Sequence, residues 1–187
     1  MTCIVGLVDD GHVWMGADSA STDGWMVREC VIPKTFRLGE VLIGYSSSFR
    51  MGQVLECHLE LPVACDTTVP RLYVAGPLVE AIRSTLHRYH WATEEHNKQE
   101  GCALLVGYRG HLFCIGDEYQ VTEEADGYDA IGCGAKFALG AMYASSEIPA
   151  AERIMVGLKA AAHLSGGVMP PFHVASLAPG GEVEFLP

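Results

Sequence analysis

The chain has 187 residues, of which 49% are hydrophobic and 19% charged, so it can build a buried core and is not a disordered segment. Lys and Arg number 12 and Asp and Glu 23, a formal net charge of -11 that argues against nucleic acid or an anionic membrane as a partner. No apolar run is long enough to cross a bilayer, and no basic signal-peptide segment follows Met1. We therefore expect a single cytoplasmic domain over residues 1–187.

Seven cysteines are scattered through the sequence, and no two form a C-x-x-C pair. That pair is the spacing typical of a zinc site or a redox dithiol. His87 and His90 stand one helical turn apart, but no carboxylate or thiol completes a ligand set at a convincing spacing. We expect reduced thiols, no metal and no cofactor.

The chain opens on two apolar runs around Asp10-Gly11, which predict a β-hairpin over residues 2–18. Neither run alternates polar with apolar residues, so both faces of this sheet should be covered. A three-residue turn would pair Thr2 with Asp18, whereas a two-residue turn would pair Thr2 with Ser19 and Cys3 with Asp18. The sequence leaves both registers open.

Hydrophobic periodicity and turn residues predict the remaining elements. In chain order these are strands at Thr35–Leu38 and Val41–Tyr45, helices at Phe49–Leu61 and Pro70–Glu95, a hairpin of Cys102–Tyr108 and His111–Ile115, helices at Ala135–Ser145 and from Pro149 towards Gly166, and strands at Val174–Leu177 and Val183–Phe185. This order predicts an α+β fold in which two stacked antiparallel sheets lie between helical layers, a four-layer αββα sandwich.

Thr2 is the first candidate for chemistry. Removal of the initiator Met1 before a small residue would leave Thr2 with a free α-amino group. A threonine hydroxyl needs a base to take its proton, and the amine of the same residue, with an ordinary pKa of about 7.7–8.0, can be that base. The alternative is that Thr2 only begins an edge strand.

Three further positions could support a nucleophile at Thr2. Asp18 ends an apolar strand, where a partly desolvated carboxylate needs a cation, unless it begins a solvated turn. Lys34, placed between Asp18 and Thr2, would lower the proton affinity of the Thr2 amine and hydroxyl, although a lone lysine is more often a surface residue. Gly44 could bring its N–H to a reacting carbonyl as an oxyanion donor, or it could mark a bulge.

Taken together, Thr-x-x-Val-Gly at 2–6, Gly-Ala-Asp at 16–18, Lys34, Ile-Gly at 43–44 and Ala-Ile-Gly-Cys-Gly at 130–134 resemble one family. It is the proteasome β-subunit and HslV peptidase group of N-terminal-nucleophile hydrolases. The resemblance extends over most of the chain, and HslV is the nearer group because the chain is short and carries no propeptide before Thr2. The predicted element order agrees with the αββα sandwich of that family.

The resemblance implies a threonine-type endopeptidase that cleaves peptide bonds through an ester acyl-enzyme. Thr2 would be the nucleophile and, through its amine, the general base. Asp18 would hold Lys34, Lys34 would tune the proton affinities, and the N–H of Gly44 would stabilise the oxyanion.

The same resemblance implies binding residues and partners. Thr22 falls where the family pairs with the substrate backbone as an added strand, and Tyr45 falls where a specificity pocket begins. Subunits of the family assemble into a homo-oligomeric ring or barrel with the sites inside. Unfolded proteins or peptides are the implied substrates, and an ATP-dependent unfoldase is the implied further partner.

Two departures from the family pattern keep other functions open. Cys133 stands where the family usually has Ser beside the nucleophile, and a thiol is the weaker hydrogen-bond donor. Ser46-Ser47-Ser48 replaces a run of Gly and Ala. A catalytically silent structural subunit is one alternative, favoured by Cys133 and by any retention of Met1. A small-amide hydrolase that uses the same chemistry without a chamber is the other.

Overall fold

The computed structural model describes residues 1–65, 67–91, 93–95, 98–100 and 103–186. The strands are β1 (Cys3–Asp9), β2 (His12–Ala17), β3 (Ala20–Thr22), β4 (Val27–Glu29), β5 (Thr35–Leu38), β6 (Val41–Ser46), β7 (Thr93–Glu95), β8 (Lys98–Glu100), β9 (Ala103–Tyr108), β10 (His111–Ile115), β11 (Val121–Thr122), β12 (Tyr128–Gly132), β13 (His173–Leu177) and β14 (Val183–Leu186). The helices are α1 (Phe49–His58), α2 (Pro70–Tyr73), a π-helical turn (Val74–Leu78), α3 (Val79–Arg88), α4 (Ala135–Ala144) and α5 (Ala150–Leu164).

Two five-stranded antiparallel sheets organise the described part of the chain. The first sheet has the order β12-β1-β2-β13-β14, and the second has the order β11-β10-β9-β6-β5. Two-stranded ribbons, β3-β4 and β7-β8, accompany them. The predicted α+β class with antiparallel sheets is confirmed.

One group of buried side chains comes from both sheets. Ile4 and Met15 of the first sheet belong to it together with Leu42 and Leu105 of the second. Burial of this apolar surface stabilises the contact between the sheets.

The opposite face of the first sheet packs on α4 and α5. Cys3 and Val5 alternate with Ile4 along β1, and they join a second group with Met142 of α4 and Leu158 of α5. A third group joins the second sheet to α1, the π-helical turn and α3. The prediction that the opening strands are covered on both faces is therefore confirmed for β1.

The helix predicted over Pro70–Glu95 is wrong at its C-terminal end. The helix ends at Arg88, because His90 takes a left-handed φ of 56°, and Thr93–Glu95 form β7 instead. Within it, Pro77 has no N–H to donate and lies in the π-helical turn. Leu72, which precedes this turn, is 55% exposed, whereas Leu78, Ile82 and Leu86 at and after the turn are fully buried.

Other boundaries follow the predictions more closely. The helix predicted to reach Leu61 ends at His58, since Leu59 is already extended. The strands β3, β4, β7, β8, β11 and β12 had not been predicted. The remaining predicted strands and helices are confirmed within a few residues, apart from Cys102, which lies outside the described residues.

Candidate active site

The first hairpin brings the N-terminus against Asp18. Asp10 and Gly11 both have positive φ, 47° and 74°, as a two-residue type I′ turn requires, and Asp9 pairs with His12. The two-residue alternative is therefore the one adopted. It carries Cys3 opposite Asp18, whose backbone N–H donates to the Cys3 carbonyl at 3.2 Å.

The Asp18 carboxylate is fully buried and receives four hydrogen bonds. Lys34 Nζ donates to Oδ1 at 2.8 Å, and Cys3 N donates to the same oxygen at 2.9 Å. Ala20 N donates to Oδ2 at 2.8 Å and Met169 N at 3.4 Å. Buried charges need such compensation, so this network holds Lys34 in place even though its side chain is only 1% exposed.

Thr2 is almost enclosed, with 6% of its surface exposed. Its Oγ1 donates to the Met1 carbonyl at 2.6 Å, and its own carbonyl accepts from Gly134 N at 3.3 Å. Gly132, with φ of 94°, leaves no room for a side chain against the Thr2 carbonyl. These contacts fix the backbone of Thr2 between β12 and the start of α4.

A small cleft of about 60 Å³ opens beside Thr2, and we call it the Thr2 cleft. Its lining residues are Met1, Thr2, Ala20, Thr22, Lys34, Tyr45, Ser46, Ser47, Ser48 and Phe49. Four of the residues predicted from the sequence therefore meet in one cleft, namely Thr2, Lys34, Thr22 and Tyr45. Asp18 supports the cleft through Lys34 without lining it.

Gly44 does not line the Thr2 cleft. It is a residue of β6, paired with Thr35 on one side and Leu105 on the other, and it is not among the lining residues. A Cβ at this position would lie 2.6 Å from Ile4 Cγ2 and 2.7 Å from Met15 Sδ. The glycine at 44 is thus explained by the close approach of the two sheets.

Ser47 is a cleft residue that was not among the candidates predicted from the sequence. It follows β6 directly, it has a positive φ of 89°, and it lines the cleft with Thr2. No hydrogen bond from its N–H is found within the described parts of the chain. A non-glycine residue held in this conformation marks local strain of the kind found at functional sites. The signal in the sequence was the Ser46-Ser47-Ser48 run, but residue type gives no indication of a positive φ.

Cys133, which follows β12 directly, contacts the backbone of Thr2. Its Sγ donates to the Thr2 carbonyl at 3.5 Å and lies 3.4 Å from Ser165 Oγ. Ser165 also accepts from Gly167 N at 3.4 Å. The Ser165-Gly166-Gly167 segment, which follows α5, therefore meets the N-terminus through Cys133.

Burial changes the acidity of two groups near the site. The pKa of the Cys3 thiol is raised to about 12 by desolvation first and then by the charge of Asp18. Such a thiol stays neutral at physiological pH and is a poor nucleophile. Desolvation and the charge of Glu56 raise the pKa of Tyr45 to about 12, so its hydroxyl also stays neutral.

The described residues contain neither a metal-binding cluster nor a membrane-spanning helix. Across residues 1–65, 67–91 and 103–186 and the short strands between them, no group of His, Cys, Asp and Glu could hold a metal ion. In that same portion, each helix is too short or too polar to cross a bilayer.

The similarity of the whole chain to solved structures shows an HslV/proteasome-like fold, which confirms the predicted resemblance at the level of fold. Among solved structures, the chain is similar to Thiobacillus denitrificans BPH, with a TM-score of 0.77, 21% identity and coverage of 95% of this chain and 100% of that one. The same protein in complex with epoxomicin aligns with a TM-score of 0.77 and 19% identity, covering 95% and 98% of the two chains.

A third solved structure extends the likeness to a eukaryotic protein. HslV from Trypanosoma brucei aligns with a TM-score of 0.68 and 21% identity over 95% of this chain and 99% of that one. No protein-family model and no curated protein matches the sequence. At identities near 20%, these structures support the fold.

Proposed function

We propose that this protein is a threonine-type endopeptidase subunit that becomes active when Met1 is removed. The single observation that carries the proposal is the buried Lys34–Asp18 ion pair, 2.8 Å long, which holds Lys34 in the lining of the cleft that Thr2 also lines. The fold likeness to HslV from Trypanosoma brucei and to Thiobacillus denitrificans BPH, which was solved with epoxomicin bound, adds support.

The proposed reaction uses the two functional groups of Thr2. After loss of Met1, the free amine takes the proton of Oγ1, and Oγ1 attacks the scissile carbonyl. The new C–O bond becomes an ester as the C–N bond breaks, and the amine returns the proton to the leaving nitrogen. Water then hydrolyses the ester and restores the hydroxyl. The positive charge of Lys34 favours the unprotonated amine and the alkoxide character of Oγ1.

The oxyanion donor in this proposal is the N–H of Ser47 and not that of Gly44. Ser47 borders the cleft next to Thr2, whereas Gly44 is paired within the sheet. An oxyanion hole needs a donor that is fixed in place and free to bind the developing charge. The position of Ser47 between β6 and the N-terminus of α1 meets that need, and the helix dipole adds positive potential there.

Cys133 is proposed as a positioning residue for Thr2. Its contacts with the Thr2 carbonyl and with Ser165 support this role. The longer, weaker bond of a thiol makes the support less rigid than a hydroxyl would provide. Thr22, on β3 beside the cleft, is the proposed backbone-pairing position for an extended substrate.

We also propose the domain organisation, the assembly and the partners of this protein. We place residues 1–187 in one domain with the four-layer αββα sandwich, which is supported by buried groups between the two sheets and between each sheet and its helices. The subunit is proposed to form a homo-oligomeric ring or barrel in the cytoplasm. Unfolded proteins or peptides are its proposed substrates, and an ATP-dependent unfoldase is a proposed partner.

A catalytically silent structural subunit is the second candidate. It is favoured by the contacts of Met1, because its side chain packs against Gly167 and its carbonyl accepts from Thr2 Oγ1 at 2.6 Å. While the Met1–Thr2 peptide bond remains, the nitrogen of Thr2 is an amide and cannot act as a base.

The decisive experiment measures fluorogenic-peptide turnover by native protein and by the Thr2→Ala variant, each sized beforehand by light scattering. Intact mass must show that Met1 is absent from the native protein. We expect Thr2→Ala to lose at least about 10³-fold in turnover, as loss of a nucleophile does elsewhere. Thr67→Ala, an exposed matched substitution, should retain the native rate.

Two results would decide against the proposal. Full turnover by Thr2→Ala would exclude Thr2 as the nucleophile. Uniform retention of Met1 in the native protein would favour the structural subunit. A monomer or dimer that still hydrolyses small amides would instead indicate an enzyme without a chamber.

A further inference from the structure

The hairpin of β3 and β4, which we call the β3–β4 ribbon, carries large apolar side chains into solvent. Trp25 is 96% exposed at its turn, and the neighbouring Met26 is 57% exposed. A tryptophan contributes about 150–250 Å² of buried surface where it packs, and tryptophan is enriched among the residues that dominate interfaces. The turn of the ribbon is therefore a candidate docking element.

Side chains fix the backbone of this turn. Asp23 Oδ1 accepts from Trp25 N and Met26 N, each at 2.9 Å, and Thr22 Oγ1 accepts from Gly24 N at 3.0 Å. The hydrogen bonds from Met26 N and Trp25 N lower the pKa of Asp23, so its carboxylate is charged. A backbone that is ordered before docking loses less conformational entropy when it docks.

Residues of α5 and the start of β13 line a groove of about 410 Å³, which we call the α5/β13 groove. Its apolar lining includes Met155, Val156, Phe172 and Val174. An engineered apolar cavity of about 150 Å³ accepts benzene, so this groove has room for an indole and part of a second side chain. Trp25 is almost wholly exposed, so it does not fill the groove of its own chain.

The charges of the ribbon and of the groove are complementary. Glu152 and Lys159 also line the groove, and seven residues of helix separate them by about 10 Å along α5. In the part of the chain that the structure describes, neither forms an ion pair. The ribbon carries Asp23 at its turn and Arg28 on β4. A ribbon seated in the groove can therefore set each of its charges against an opposite charge.

The occupant that these features fit is the ribbon of a second copy of the chain. The ribbon and the groove are different surfaces of one molecule, so each copy can dock its ribbon on one neighbour and receive the ribbon of another. Head-to-tail contacts of this kind generate a ring when the rotation between copies closes. A stable interface buries about 1,200–2,000 Å², so Trp25 would anchor a contact larger than the turn alone.

The ribbon also reaches the Thr2 cleft. Ala20 and Thr22 line that cleft, and Ala20 N donates to Asp18 Oδ2 at 2.8 Å. The base of the ribbon is therefore held at the buried carboxylate, while its turn carries Trp25 outward. Docking of the turn would order Thr22 for pairing with an extended substrate.

We propose that Trp25 and Met26 of one subunit dock in the α5/β13 groove of the next, and that this contact joins neighbouring subunits and orders the substrate-pairing strand at Thr22. The assignment deepens the proposed assembly and rests on it.

The test measures assembly by sedimentation velocity over a series of protein concentrations, and peptide turnover separately. Trp25→Ala should weaken each contact by about thirtyfold, as loss of an interface hot spot does, and its turnover per subunit should fall with assembly. Val156→Arg, which places a charged side chain in the groove, should also dissociate the assembly. Val63→Ala is the control, because Val63 lies between α1 and α2 and is likewise 96% exposed. It should assemble as the native protein does.

Two further measurements identify the ribbon and the groove as partners. Trp25→Ala keeps an intact groove and Val156→Arg keeps an intact ribbon, so their equimolar mixture should form dimers that neither forms alone. Arg28→Glu and Glu152→Arg should each weaken assembly, and the double variant should regain most of it.

Four results would overturn the docking. Full assembly of Trp25→Ala, or a mixture without dimers, would do so and leave the proposed peptidase function intact. Monomeric native protein that cleaves peptide would exclude the docking and the ring but not the threonine chemistry. Loss of unfolded-protein cleavage in Val156→Arg with assembly unchanged would assign the groove to substrate instead. Native Met1-free protein that neither assembles nor cleaves peptide would overturn both the docking and the proposed function.

Discussion

Lys34 Nζ lies 2.8 Å from Asp18 Oδ1, with Lys34 1% exposed and Asp18 fully buried. Lys34→Met leaves the carboxylate buried without its cation, so we expect unfolding free energy to fall by about 3–5 kcal/mol. Asp18→Asn combined with Lys34→Met should recover much of that stability, since no uncompensated charge remains. Neither variant should turn over peptide. Chemical denaturation and the turnover assay measure the two effects separately.

The exposed pair between Arg83 and Glu80 provides the control for this experiment. Its side chains are 45% and 65% exposed, so Arg83→Met should change the stability by less than about 1 kcal/mol. A Lys34→Met protein as stable as Arg83→Met would contradict the importance of the buried pair. Peptide turnover by the Asp18→Asn, Lys34→Met double variant would show that Lys34 has no role in the proposed chemistry.

Gly44 and Ser47 should respond in opposite ways to substitution. Gly44→Ala places a Cβ 2.6 Å from Ile4 Cγ2, and we expect this overpacking to cost about 1–3 kcal/mol. Ser47→Gly relieves a positive φ of 89° and should stabilise the protein by about 1 kcal/mol while keeping the N–H and the activity. Thermal unfolding and kcat/KM together provide the test. Loss of stability in Ser47→Gly would show that the serine side chain stabilises the protein by more than its positive φ destabilises it.

Buried and exposed cysteines should differ in the rate at which they react with a thiol reagent. The pKa of Cys3 and that of Cys114 are each raised to about 12, chiefly by desolvation. At pH 8 both remain neutral thiols, and iodoacetamide should label the exposed Cys57, Cys65 and Cys133 far faster. Mass spectrometry of the digested protein measures each rate, and urea should abolish the difference.

The same shifts predict a dependence of stability on pH. A thiol whose folded pKa lies above its ordinary value of 9.0 favours the folded state fully below pH 9. That contribution is lost as the pH rises through about 12, because the unfolded chain then releases the proton more readily. Denaturation midpoints should therefore fall between pH 9 and pH 12. Cys3→Ala should show a shallower fall, and an identical profile would count against the Cys3 shift.

Removal of Met1 should depend on whether the chain is folded. Thr2 is 6% exposed, its carbonyl is hydrogen-bonded to Gly134, and Cys3 already belongs to β1. An aminopeptidase must bind these residues in its own site, so we expect folded Met1-containing protein to resist a methionine aminopeptidase. The same protein in mild urea should be trimmed, and intact mass distinguishes the two. Rapid trimming of the folded protein would show that the N-terminus opens locally.

Local signals in the sequence were sufficient for most of the fold. The Asp10-Gly11 and Arg109-Gly110 pairs lie at the turns of the two predicted hairpins. In the structure, both residues of each pair take the positive φ that a two-residue hairpin turn requires. The helix from Pro70 was too long, since its apolar spacing continues past Arg88 while the left-handed His90 stops the helix. The short strands β3 and β4 carry few buried residues, so hydrophobic periodicity had little to detect.

The site was predictable where it depends on charge and less so where it depends on backbone conformation. A carboxylate at the end of an apolar strand and a rare lysine led to Asp18 and Lys34, and the structure brings them together. Gly44 was selected for its residue type, yet its place is explained by sheet packing. Ser47 could not be found from sequence, because its positive φ arises from the junction of β6 with α1.

The turn at Asp10-Gly11 lies at the far end of β1, a strand of seven residues that spans about 23 Å. A slip of this pairing by one residue, with Asp9 drawn into the turn, would move Thr2 opposite Asp18 and separate Cys3 N from the carboxylate. Hairpin tips usually tolerate insertions, because a longer loop can leave the pairing intact. In this chain, the Asp9–His12 pair at one end of the hairpin therefore decides which backbone N–H meets the buried carboxylate at the other end.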